Sequence, residues 1–375
     1  MATTVAEPTW AELLGSKDWE GLLDPLDLSL RRLILRCGDF CQATYDAFNN
    51  DENSKYAGSS RYGKKSFFSK VMLESASDYQ VQCFLYSTAK VGIIEAIFLH
   101  SLSREAWDKE SNWIGYIATT TDEVSRTLGR REIYVAWRGT TRDYEWIDVF
   151  GARPDSAKEL LRPGGEDNDD DDEKVPKVMD GWLKLYVSSD PNSPFTKFSA
   201  RTQLLKKIKE LRDLYKNESV SITLTGHSLG APAGGRQVFN ERMRQYPNLK
   251  VLQVRNRIDL IPLYPSEFLG YKNTGIPLEI DSRKSPSLKD TKNPSDWHNL
   301  QAMLHVVAGW NGPQEEFELK VKRSLALVNK SSSILKDEYL IPGSWWVEKN
   351  KGLVRDENGE WTWPAPDEDQ PVPEF

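Results

Sequence analysis

The sequence predicts an α/β protein with a mostly parallel central sheet flanked by helices. Three observations carry that expectation. Segments with helical spacing alternate with short β-prone runs through the second half of the chain. One such run, Ser221-Ile222-Thr223-Leu224-Thr225, ends in Gly226-His227-Ser228-Leu229-Gly230, a Gly-x-Ser-x-Gly pattern in a strand–turn–helix context. Finally, the residues able to do chemistry follow in the order serine, aspartate, histidine.

The chain has 375 residues, 39% of them hydrophobic, which is enough for a large core. Its net charge is −7 and no basic stripe carries interleaved aromatics, so nucleic acid is excluded as an expected partner. The three cysteines, Cys37, Cys41 and Cys83, form no CxxC pair. That count argues against a disulfide framework or zinc site and for a reducing, cytoplasmic compartment. The residues from Met1 lack a basic region and an apolar run of the signal-peptide kind. No apolar stretch approaches 18 residues, so no transmembrane segment is expected.

Along the chain, residues 24–48 read as an amphipathic helix. Asp24 is its expected cap and Pro25 sits in its first turn. Leu26, Leu30, Leu33, Ile34, Cys37, Cys41 and Tyr45 fall on one face, a stripe used for core packing more often than for membranes. Val81–Tyr86, Trp113–Ala118 and Glu132–Trp137 read as strands, the last ending in Arg138-Gly139-Thr140. The acidic run Glu166–Glu173 lacks the alternating ligands of a calcium loop and reads as a solvated loop. A helix is expected over 199–217, with Leu204, Leu205, Ile208, Leu211 and Tyr215 on its apolar face. A strand over 219–225 follows, then a helix at Gln237–Tyr246, a strand at Val251–Val254 and a helix over 297–308.

A serine hydroxyl is a weak nucleophile at neutral pH and needs an imidazole oriented by a carboxylate. The chain has only four histidines. His227 adjoins Ser228 inside the turn, so its side chain should point away from the serine's, and His100 precedes the nucleophile. That leaves His298 and His305, which share a helical face if their segment is continuous. The Asp296-Trp297-His298-Asn299 approach from a loop marked by Pro294 favours His298. A metal site is not expected, because helical ligand pairs prefer spacings of three or four. Asp259 follows a strand that Pro262 stops, and it stands between the serine and the histidine in the chain. The two N–H donors of an oxyanion hole are expected from Leu229, after the nucleophile, and from Thr140, where the earlier strand turns. This chain order of triad residues is that of α/β-hydrolases.

Several stretches together are specific. They are Ala136-Trp137-Arg138-Gly139-Thr140-Thr141, Thr225 to Gly230, Trp297-His298-Asn299-Leu300-Gln301 and His305-Val306-Val307-Ala308-Gly309. With Asp18–Leu26 near the start and Trp345–Gly352 near the end, the chain resembles the class 3 lipase family, and within it the plant class II phospholipase A1 group. The likeness covers almost the whole chain, so residues 1–375 read as a single α/β-hydrolase domain with an N-terminal helical segment and a C-terminal extension. The resemblance implies deacylation of glycerophospholipids at the sn-1 position, on a membrane or micelle surface. It implies Ser228 as nucleophile, Asp259 as orienting acid, His298 as base, and no cofactor.

One region departs from the family. Members run from Gly-His-Ser-Leu-Gly into an alanine-rich helix and a further strand before a Ser-Pro-x-x-Gly turn. Here Gly230 and Ala231 pass straight to Pro232-Ala233-Gly234-Gly235, so one helix–strand unit is expected to be missing. The strand carrying Asp259 should then lie beside the serine strand, a shift of about 4.8 Å. Displacements near 1 Å can cost about a hundredfold in rate, so an impaired triad is expected. The competing readings are therefore an active lipid acyl hydrolase and a shortened form that binds lipid or a partner with little catalysis. A peptidase or small-ester hydrolase would use the same triad. Tyr144, Trp146, Ile147, Val149 and Phe150 within 141–160 are candidates for a lid or interface contact.

Overall fold

The computed structural model describes residues 7–88, 99, 102, 104, 111–139, 154–161, 175–228, 234–263, 270–346 and 354–362. Its helices are α1 (Trp10–Leu13), α2 (Leu28–Asp46), α3 (Phe67–Lys70), α4 (Asp122–Leu128), α5 (Asp180–Val187), α6 (Ala200–Leu214), α7 (Gln237–Arg244), α8 (Pro294–Trp297) and α9 (Leu300–Gly309). Its strands are β1 (Tyr79–Thr88), β2 (Ser111–Thr120), β3 (Arg131–Trp137), β4 (Pro154–Ser156), β5 (Lys177–Met179), β6 (Val220–Gly226), β7 (Gly234–Arg236), β8 (Leu252–Asn256), β9 (Tyr271–Asn273), β10 (Ile276–Ile280), β11 (Val354–Arg355) and β12 (Trp361–Thr362). The acidic run and the aromatic 141–153 stretch lie outside the described residues.

The central sheet has the order β1-β2-β3-β6. It is mixed rather than mostly parallel: β1–β2 and β2–β3 are antiparallel, and β3–β6 is parallel. Connection length explains the difference. The short link through α4 between Thr120 and Arg131 cannot make a parallel crossover, which needs about a dozen residues or more, whereas the long return from Trp137 to Val220 can.

Both faces of this sheet are covered. On one, α2 brings Phe40 against Phe68, Tyr79, Tyr116 and Tyr134, with Phe40 and Tyr79 edge-to-face at 4.8 Å. Such aromatic pairs add about 0.5–1.5 kcal/mol beyond the area they bury. On the other, Leu204 and Leu211 of α6 pack on Leu85, Ile117, Ile133 and Val135. Leu205, expected on that face, is exposed, because one residue further along a helix turns about 100° away from its neighbour. The cap of α2 is also not Asp24. Asp27 accepts the N–H groups of Ser29 and Leu30, and Asp24 and Pro25 lie in the preceding turn.

A separate two-stranded parallel sheet, β8 with β10, carries a third core together with α9. The strand before Asp259 therefore does not lie beside the serine strand. Among the described residues β6 has no partner on its outer edge, and Ile222 and Leu224 are 41% and 58% exposed there. None of the described helices is long and apolar enough to cross a membrane.

Candidate active site

The parallel register of β3 and β6 sets Trp137 opposite Gly226. The two chains therefore leave the sheet side by side, Arg138-Gly139 from one strand and His227-Ser228 from the other. Ser228 turns sharply, with φ at 56°, a left-handed conformation that costs a non-glycine residue about 1–3 kcal/mol. Gly139 makes room for that turn. A Cβ there would come within 2.4 Å of the His227 carbonyl oxygen and 3.1 Å of the Ser228 Cβ. Arg138 braces the same turn from beneath. It donates to the carbonyls of Trp113 and Gly139, each at 3.0 Å, and lies over the Phe48 ring. Burial pulls its guanidinium down to about 10. Leu229 and Thr140, the expected oxyanion donors, and His100 lie outside the described residues.

Asp259 is buried just after β8, where its Oδ1 accepts the Ile261 N–H at 2.9 Å. Its Oδ2 lies 2.5 Å from Nδ1 of His298. The histidine sits in the break between α8 and α9, and Asn299 caps α9 by accepting the Ala302 N–H at 3.0 Å. His298 and His305 are therefore not on one continuous helix. His305 lies inside α9, fully buried, with its Nε2 2.8 Å from Ser285 Oγ and its ring 5.1 Å from Phe317. Burial, aided by Arg323, pulls it down to about 4. The structure thus brings His298, not His305, to Asp259.

His227, expected only to point away from the serine's side chain, reaches the base. Its ring stacks on that of His298 with centroids 4.4 Å apart, and its Nε2 lies 2.8 Å from the His298 carbonyl oxygen. Tyr45 completes the set, its hydroxyl 2.9 Å from His227 Nδ1. Loss of water, then the nearby His298, holds His227 well below its usual value. Sequence reasoning placed Tyr45 only on a packing face and missed Asn256, whose side chain donates to the Trp297 carbonyl at 2.8 Å. Nothing in residue spacing marks either contact, because both join segments remote in the chain.

Ser228 Oγ and His298 Nε2 are both buried atoms without a hydrogen-bond partner among the described residues. They are two of eleven such side-chain atoms among the described residues, His305 Nδ1 being another, and they are the groups that a nucleophile–base pair needs. Catalytic hydrogen bonds are often long before substrate binds. No group of three or more histidines, cysteines or acids among the described residues could hold a metal.

Comparison with known proteins identifies the family to which the chain belongs. Residues 134–234 match the family model Lipase (class 3). The chain is 58% identical to Phospholipase A1-IIdelta of Arabidopsis thaliana over the whole of both proteins. It is 47% identical to Phospholipase A1-II 5 of Oryza sativa subsp. japonica, over 97% of this chain and 84% of that one. Among solved structures, the Lip2 lipase of Yarrowia lipolytica aligns over 69% of this chain and 81% of its own, at 15% identity and a TM-score of 0.40, too loose a likeness to bear on chemistry. With its length covered at such identity, the chain belongs to the plant class II phospholipase A1 group of the lipase class 3 family, carboxylic ester hydrolases of the α/β-hydrolase fold.

Proposed function

We propose that this chain hydrolyses the sn-1 acyl ester of glycerophospholipids at a membrane or micelle surface, through an acyl-enzyme on Ser228. The observation that carries the reading is the 2.5 Å contact of Asp259 with His298, beside the strained Ser228 turn. Ser228 Oγ attacks the ester carbonyl while its proton passes to His298 Nε2. Asp259 keeps the imidazole in the tautomer with the Nδ1 proton and stabilises the imidazolium that forms. The N–H groups of Leu229 and Thr140 receive the developing oxyanion. His298 then returns the proton to the departing lysophospholipid oxygen. Water, deprotonated by the same ring, attacks the acyl-serine and releases the fatty acid. The sequence of steps needs no metal or cofactor. Incubation with phosphatidylcholine carrying distinguishable acyl chains tests it. Release of the sn-1 chain that Ser228→Ala abolishes supports the reading, and release of the sn-2 chain or of neither refutes it.

The edge of β6, unpaired among the described residues, favours a second feature, a missing helix–strand unit after Gly230. Exposed Ile222 and Leu224, and the separation of β8 from the serine strand, both fit a sheet from which an intervening strand has been lost. The 415-residue alignment with the Arabidopsis thaliana protein is longer than this chain, so that relative has residues this chain lacks. Because β8 does not lie beside β6 and Asp259 still meets His298, the impairment expected from a strand shift does not follow. A family-like insertion after Gly230 should instead cover the β6 edge and raise the melting temperature; an unchanged one would refute the missing unit.

A further inference from the structure

Two side chains outside the triad grip the turn that carries His298. Helix α8 is a single turn in which the Pro294 and Asp296 carbonyls accept the N–H groups of His298 and Asn299. Asn256 Nδ2 donates to the carbonyl of Trp297 at 2.8 Å. The next carbonyl, that of His298 itself, lies 2.8 Å from His227 Nε2. A carbonyl only accepts, so His227 carries its proton on Nε2 and presents a bare Nδ1, which accepts from the Tyr45 hydroxyl. The same ring lies at 28° to that of His298 and limits its rotation.

The grips come from different places. His227 leaves the end of β6 immediately before Ser228, and Asn256 ends β8 just before Asp259. Among the described residues these strands belong to separate sheets, so no backbone ladder between them sets the distance from serine to acid. We propose that His227, backed by Tyr45, and Asn256 are positioning residues that clamp the base between the two sheets. They touch no reacting atom; they hold His298 against Asp259, with the ring stacked on the residue that precedes Ser228. The proposal rests on the reading of His298 as the general base.

The experiment compares full-length Tyr45→Phe, His227→Leu, His227→Gln, Asn256→Leu and His298→Ala, with phosphatidylcholine as substrate. Misplacement by a fraction of an ångström predicts kcat down about tenfold in Tyr45→Phe and about a hundredfold in His227→Leu and Asn256→Leu, with KM unchanged. His227→Gln, whose amide can donate from the Nε2 position, recovers most of the loss. The far-downfield Nδ1 proton signal of the His298–Asp259 pair broadens in His227→Leu and sharpens again in His227→Gln. A kcat within twofold of the parent in Tyr45→Phe and His227→Leu, while His298→Ala is inactive, overturns the clamp alone. Turnover that survives His298→Ala overturns the base assignment on which it rests. Should His227→Leu fold poorly, Tyr45→Phe, which removes one oxygen atom, decides by the same criterion.

Discussion

Asp259 Oδ2 and His298 Nδ1 lie 2.5 Å apart, although one follows β8 and the other sits in a loop nearly forty positions later. The carboxylate is buried and the ring half-buried, so the carboxylate fixes which imidazole nitrogen carries the proton. Replacing Asp259 by Asn keeps the shape but inverts that preference. A fall in kcat of roughly 10³–10⁴ is expected, with KM little changed. Steady-state rates on phosphatidylcholine check this, and a loss below tenfold would show that the acid does not orient the base.

Gly139 is the second point of leverage. A methyl group there meets the Tyr45 hydroxyl, the His227 carbonyl oxygen and the Ser228 Cβ, so Gly139→Ala displaces Tyr45 together with the serine turn. The expected result is about a hundredfold loss in kcat with the fold intact, measured by turnover alongside near-ultraviolet circular dichroism. Unchanged kcat would mean that the turn has slack.

These residues also show what the sequence could reveal. Ser228 and the strand before it were legible, because a Gly-x-Ser-x-Gly after a β-branched run has few other uses. The contact of Asp259 with His298 was expected from scarcity, chain order and the loop marked by Pro294. The elements were legible wherever apolar spacing was strong, as in β1, β2, β3 and α6. The mixed direction of the sheet was not read, because it depends on connection length rather than on pattern. The partnership of Tyr45, His227 and Asn256 was hidden for a different reason: it joins three segments that only tertiary packing brings together.

Acid sensitivity follows from the buried histidines. Burial holds His305 at about 4, against an ordinary value of 6.5. The unfolded chain therefore binds a proton that the folded chain refuses, and stability falls as pH drops from 6.5 towards 4. The loss reaches about 3 kcal/mol near the lower end and is absent above 6.5. His227, also depressed, acts with the same sign. Thermal melts across this window check the slope. His305→Gln should flatten it, and an unaltered slope would contradict the assignment.

Lys330 and Asp46 form a buried pair at 2.6 Å that ties the C-terminal segment to α2. Gln42 supports the carboxylate at 2.9 Å, and the Trp346 ring lies 4.2 Å from the ammonium. Lys330→Met leaves the carboxylate buried and unpaired, at a cost of about 3–5 kcal/mol. Denaturant midpoints measure this. Adding Asp46→Leu should restore most of the loss, whereas a single variant as stable as the parent would contradict the pairing.

The central claim is that His298, held by Asp259, activates the Ser228 hydroxyl. Fluorophosphonate labelling, with the modified peptide located by mass spectrometry, tests it most directly. The account predicts one adduct, on Ser228, formed rapidly by the parent chain and lost in His298→Ala. Folded protein that takes no label, or a His298→Ala chain labelled as fast as the parent, would contradict it.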